Sequence, residues 1–88
     1  PVSAPETDVL KAAAALERVG AYAAAETVYE TGAEEWPTNW LWQFGLANAR
    51  FGSGDLRGAQ RALRRARTLG PDIPEVQANL NHINGLLR

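Results

Sequence analysis

Between residues 8 and 19, apolar side chains recur at Val9, Ala12, Ala13, Leu16 and Val19, the spacing of one helical face. A helix is predicted there, stopped by Gly20. The same rhythm resumes over 21–35 through Tyr22, Ala25, Val28, Tyr29 and Gly32. Pro37 ends this second helix, because proline disfavours helical geometry in the residue before it. A third helix is predicted over 40–51, with Thr38 or Asn39 able to cap it. The stretch "GSGD" turns the chain into a fourth helix over 56–69, and "GPD" ends that one. Pro74 suits the first turn of a fifth helix, where its missing amide donor costs nothing, and that helix runs to about residue 87. The expected fold class is all-α, with five helices.

The third helix is apolar nearly all round: Trp40, Phe44, Ala47 and Phe51 lie on one side, Trp42, Leu46 and Ala49 on another. Such a helix is a central one, covered on both sides. At its entry the chain places all three of its tryptophans, Trp36, Trp40 and Trp42, within seven positions. Packing between successive helix pairs is the expected role, with Trp36 stapling the helix entry. Exposure of Trp40 at a ligand or dimer surface is the alternative. A membrane role is not expected, since no basic amphipathic face accompanies the rings.

The pattern also repeats. At a period of 34 residues Gly20 recurs as Gly54, Ala25 as Ala59 and Pro37 as Pro71. Ala13 recurs as Ala47, Tyr22 is answered by Leu56, Tyr29 by Leu63, and Leu46 by Leu80. The matched positions are the small and apolar ones that helix packing needs. This combination resembles the tetratricopeptide repeat. It divides the chain into a lead-in over 1–5, repeats over 6–39 and 40–73, and a half repeat over 74–88. One departure is that Val9 and Gln43 stand where the family has a large residue. The resemblance implies a right-handed superhelix with a concave and a convex side, because no unit buries its apolar face alone. On the fifth helix Val76, Leu80, Ile83 and Leu87 make one stripe while Gln77, Asn81, Asn84 and Arg88 point elsewhere, which reads as a cap.

Composition narrows the chemistry. Eighty-eight residues make one small domain with a modest core. The absence of cysteine excludes a disulfide framework and a thiolate metal site. With one histidine, one lysine and two serines, nothing brings Ser53 and His82 into a nucleophilic arrangement, and His82 with scattered carboxylates lacks metal-ligand spacing. Gly52 and Gly54 form a turn rather than a phosphate cradle. The chain is therefore not expected to be an enzyme, to bind a metal or to need a cofactor. It opens at Pro1 without methionine, which reads as a processed chain or a segment of something longer. No signal peptide or membrane-spanning run is apparent. Arginine exceeds lysine eight to one, the usage of a GC-rich bacterial genome, with cytoplasm and cell envelope both open as compartments.

Charge is segregated along the chain. Seven acidic residues precede Pro37 against Lys11 and Arg18, and seven arginines follow Trp36 against Asp55, Asp72 and Glu75. Arg57, Arg61 and Arg64 share a helix face, joined nearby by Arg65 and Arg67. Nucleic-acid binding is not expected, since the domain is slightly acidic and no aromatic is interleaved on that face. The resemblance places this helix on the convex side, where charged solvated faces are normal; contact with an acidic partner, or with the acidic half of another copy as in a homodimer, is favoured over nucleic acid.

What the resemblance implies for function is a groove. Its unit positions map onto Thr7, Leu10, Ala14, Glu17 and Arg18, then Leu41, Phe44, Asn48, Phe51 and Gly52, then Glu75, Ala78 and His82, with Asn79 close to Asn48. Asparagine can serve a peptide backbone as donor and acceptor together, and Phe44 and Phe51 would give an apolar floor. The plainer alternative is that Asn48 and Asn79 only bridge adjacent helices. Phe44 and Gly52 stand where relatives that clamp a carboxyl terminus carry basic residues, so an EEVD-type tail is not the expected ligand. The expected function is a protein–protein interaction module holding a peptide or partner segment. A self-associating scaffold, or a spacer attached to an upstream enzyme, is the alternative. The run "WPTNWLWQFGLANARFGSGDLRGA" with "ANLNHI" also resembles the C-terminal repeat module of bacterial C39-like peptidase proteins, which would make it such a spacer.

Overall fold

A computed structural model describes residues 4–88, so most of the expected lead-in, residues 1–3, lies outside the described residues. The chain forms α1 (Glu6–Arg18), α2 (Tyr22–Glu35), α3 (Trp40–Gly52), α4 (Leu56–Leu69) and α5 (Pro74–Leu86). They stack along a molecule of 42 × 28 × 17 Å. Each helix packs on the next, and α3 also touches α1, so α3 is central, as its apolar surround predicts.

Local chemistry sets the ends. α1 begins two residues before the predicted start, on the carbonyl of Pro5, which accepts from the amides of Asp8 and Val9. Glu6 and Asp8 occupy the first turn, where carboxylates favour the helix dipole and apolar spacing gives no signal. The Asn39 side chain caps α3 by accepting from the Leu41 amide at 3.1 Å, and Asp55 caps α4 by accepting from the Gly58 amide at 2.9 Å. α1 and α3 end identically, one period apart. Gly20 and Gly54 adopt φ of +80° and +88°, the left-handed region open to glycine. Around each, two amides close onto the last turn: Gly20 on Glu17 and Ala21 on Leu16, then Gly54 on Phe51 and Asp55 on Arg50.

Seven of the fourteen buried apolar residues are alanines, so the core arises from close helix approach more than from bulk. The seam between α2 and α3 shows how. Trp42 of α3 lies over Gly32 of α2, Tyr29 of α2 over Gly45 of α3, and Tyr22 of α2 over Gly52 of α3. The three pairs step along the antiparallel helices in one register. A side chain at any of these glycines would collide with a ring. The expected small positions Ala13, Ala25, Ala47 and Ala59 are all buried in the core.

The tryptophans are packing residues. Trp42 is fully buried, stacked on Trp36 at 5.2 Å between ring centroids and 12° between planes, with Tyr29 edge-on at 6.3 Å. Trp40 is half-buried, edge-on to Phe44 at 5.6 Å, and covers Gly70 in the turn before α5. Two polar clamps join distant segments. Glu6 accepts from the Trp42 indole at 2.7 Å and the Asn39 amide at 2.8 Å. Arg50 pairs with Glu26 at 3.1 Å and Glu30 at 3.3 Å on α2, and donates to the Gly58 carbonyl of α4 at 3.2 Å.

Candidate functional site

Between α3 and α5, over α4, lies a cleft of about 200 Å³ lined by Ala47, Asn48 and Phe51 of α3, Leu63 of α4, and Asn79, His82 and Ile83 of α5. The helical period aligns these side chains: Asn48 and Phe51, like Asn79 and His82, are three residues apart and share a face. Ala47, Leu63 and Ile83 are buried and make an apolar floor. Phe51, 42% exposed, and His82 stand at the mouth, their rings 6.1 Å apart and tilted by 57°.

Asn48 and Asn79 are half-buried, and neither side-chain amide is among the intramolecular hydrogen bonds of the described residues. A bridge between α4 and α5 is made instead by Gln60, which donates to Asn84 at 2.7 Å. The cleft therefore holds two unengaged amides above an apolar floor.

The other residues assigned to the groove lie elsewhere. Leu10 is half-buried against the core and Phe44 packs on Trp40, so the floor expected from Phe44 comes from Leu63 and Ile83. Glu17 accepts the Tyr29 hydroxyl at 2.9 Å. Burial first, and then the Glu17 hydrogen bond and charge, push the Tyr29 phenol well above its ordinary range. Arg18 and Leu41 are exposed outside the cleft lining. Among the described residues, no group of three or more His, Cys, Asp or Glu comes together as for a metal, and no helix is long and apolar enough to cross a membrane.

The order of helices, the paired left-handed caps and the small-residue seam agree with one recurrent architecture. The family model of the tetratricopeptide repeat matches residues 16–82. The chain belongs to the tetratricopeptide repeat family. Tetratricopeptide repeats generally mediate protein–protein interaction, and the family is typically a non-catalytic scaffold. No curated protein gives a significant match to the chain. The tetratricopeptide match lends no support to the narrower resemblance to the peptidase-associated module.

Sequence reasoning missed Leu63 and Ile83 as cleft residues, although their apolar periodicity was visible. It noted Gln43 as a departure from the tetratricopeptide pattern. The structure adds that its Oε1 is buried without a hydrogen-bond partner, in a depression bordered by Glu30, Glu34, Arg50 and Arg65.

Proposed function

We propose that this chain is a protein–protein interaction module that holds a peptide or partner segment between α3 and α5, around Asn48, Phe51, Asn79 and His82. The observation that carries the reading is the pair of unengaged asparagine amides above the floor of Ala47, Leu63 and Ile83. A solvent-accessible amide with no partner in the protein can exchange water for a ligand backbone that supplies both a donor and an acceptor. An apolar ligand side chain displaces water from the floor, while the Phe51 and His82 rings flank it. Affinity comes from the ligand backbone and one anchoring side chain, so tolerance of ligand sequence is expected outside the anchor.

Selection from a displayed random-peptide library tests this, run in parallel on the wild type and on Asn48→Ala/Phe51→Ala. The wild type is expected to enrich peptides sharing one apolar anchor, and the variant, with helicity retained, to bind them at least roughly tenfold more weakly. Equal enrichment by both proteins refutes the cleft as the binding site.

A further inference from the structure

The two charged halves of the chain fare unequally on folding. Of the seven acidic residues before Pro37, Glu6, Glu17, Glu26 and Glu30 accept hydrogen bonds within the molecule. The later arginines are not consumed in the same way. Among the described residues Arg50 makes both ion pairs, while Arg57, Arg61, Arg64 and Arg65 are exposed and reach no carboxylate. All four lie on α4, whose opposite side is buried through Ala59, Ala62, Leu63 and Ala66. Arg57, Arg61 and Arg64 run along the outward line of the helix, and Arg65 flanks it. Like charges four residues apart weaken a helix, and among the described residues none of these four arginines forms an ion pair.

The patch is not uniformly polar. Arg64, Arg65, Thr68 and Leu69 line a shallow depression, and Leu69 is 42% exposed within it. We infer that the outward face of α4 docks an acidic protein segment, with carboxylates paired to Arg57, Arg61, Arg64 and Arg65 and an aliphatic side chain set against Leu69. Guanidinium groups match carboxylates in two-pronged geometry, and the apolar spot gives the segment an anchor between its charges. A polynucleotide fits less well, because α4 carries no aromatic ring on which a base could stack. A second copy also fits less well, because internal bonding leaves only Asp8, Glu34 and Glu35 of the acidic half to meet the four arginines.

The probe is a labelled peptide alternating glutamate pairs with leucines, beside a counterpart with glutamine for every glutamate. Anisotropy is expected to show binding of the acidic peptide alone, weakening at least about fivefold from low salt to about 300 mM. Arg61→Glu/Arg64→Glu/Arg65→Glu, with unchanged circular dichroism, is expected to bind it more than roughly tenfold more weakly. Amide NMR shifts on the wild type are expected along α4 and not at Asn48 or Asn79. This measurement stands if the variant misfolds, and it separates this face from the cleft. Absence of binding, or shifts confined to the cleft, overturns the inference. So does tighter binding of an oligothymidine of equal length or of phosphatidylserine vesicles. Self-association of the wild type in sedimentation that is lost in the arginine variant overturns it too.

Discussion

Glu6→Ala removes the acceptor that joins the first turn of α1 to the first turn of α3. Both donors, the Trp42 indole at 2.7 Å and the Asn39 amide at 2.8 Å, converge on one oxygen, Oε2. Water can replace the acceptor for half-exposed Asn39, but Trp42 has 0% exposure, and its N–H is left without a partner. A hydrogen bond to a charged group contributes about 1.5–3 kcal/mol, so the alanine variant is expected to lose about 2–3 kcal/mol. In a domain of this size that lowers Tm by roughly 10–20 °C. Glu6→Gln separates charge from acceptor. One amide oxygen has two lone pairs and can serve both donors, so only the charge assistance is lost, about 1 kcal/mol. Urea unfolding followed by far-ultraviolet circular dichroism gives these differences. In a Trp42→Phe background, which has no indole donor, Glu6→Ala should cost markedly less. The reasoning fails if alanine at position 6 is tolerated within about 0.5 kcal/mol, or if glutamine is as costly as alanine.

Two further outcomes follow from the seam. Gly45→Ala should gain up to about 1 kcal/mol of helix propensity but force aside the Tyr29 ring, which Trp42 backs edge-on. A net loss of about 1–3 kcal/mol is expected in thermal melts, and a stabilised variant would show that the ring has room to move. Tyr29 also carries a pH signature. Its phenol is raised by burial and by Glu17, so the folded chain keeps a proton that the unfolded chain releases near its ordinary value of 10.0. The stabilisation is complete below that pH and declines as pH rises above it. Urea midpoints should therefore fall more steeply above about pH 10 for the wild type than for Tyr29→Phe, and parallel curves would contradict this.

Much of the fold was legible because its signals are local. Apolar spacing located the helices, and Gly20, Gly54, Pro37 and Pro71 punctuate them for backbone reasons that need no tertiary context. The tryptophans declared themselves as packing residues by falling where helix pairs meet. The Glu6–Trp42 bond was not legible, because it spans 36 positions and depends on which way an indole points once three helices are in place. Charge misled in a similar way. Seven carboxylates in the first half looked like a free acidic surface, yet four of them are engaged internally.

The groove was legible in part. Carrying unit positions across treats every turn of the array as equivalent, but a cleft needs two helices with open space between them over a third. α3 and α5 flank such a space over Leu63, which unites Asn48, Phe51, Asn79 and His82. Toward α1, Tyr29 draws Glu17 into a bond and Phe44 leans on Trp40, so those side chains serve the array itself.

The rings seated over Gly32, Gly45 and Gly52 have a consequence for cooperativity. In a repeat array, how many units melt together depends on whether coupling between neighbours exceeds what each unit holds alone. Here Trp42 adds to the Arg50 clamp and the two tyrosine contacts, since it belongs to the second hairpin but is stacked on, bonded to and seated against the first. Neither hairpin can open while the other keeps its native surroundings. The two are therefore expected to melt as one thermodynamic unit, with fluorescence from the tryptophans reporting on both hairpins rather than on their junction alone.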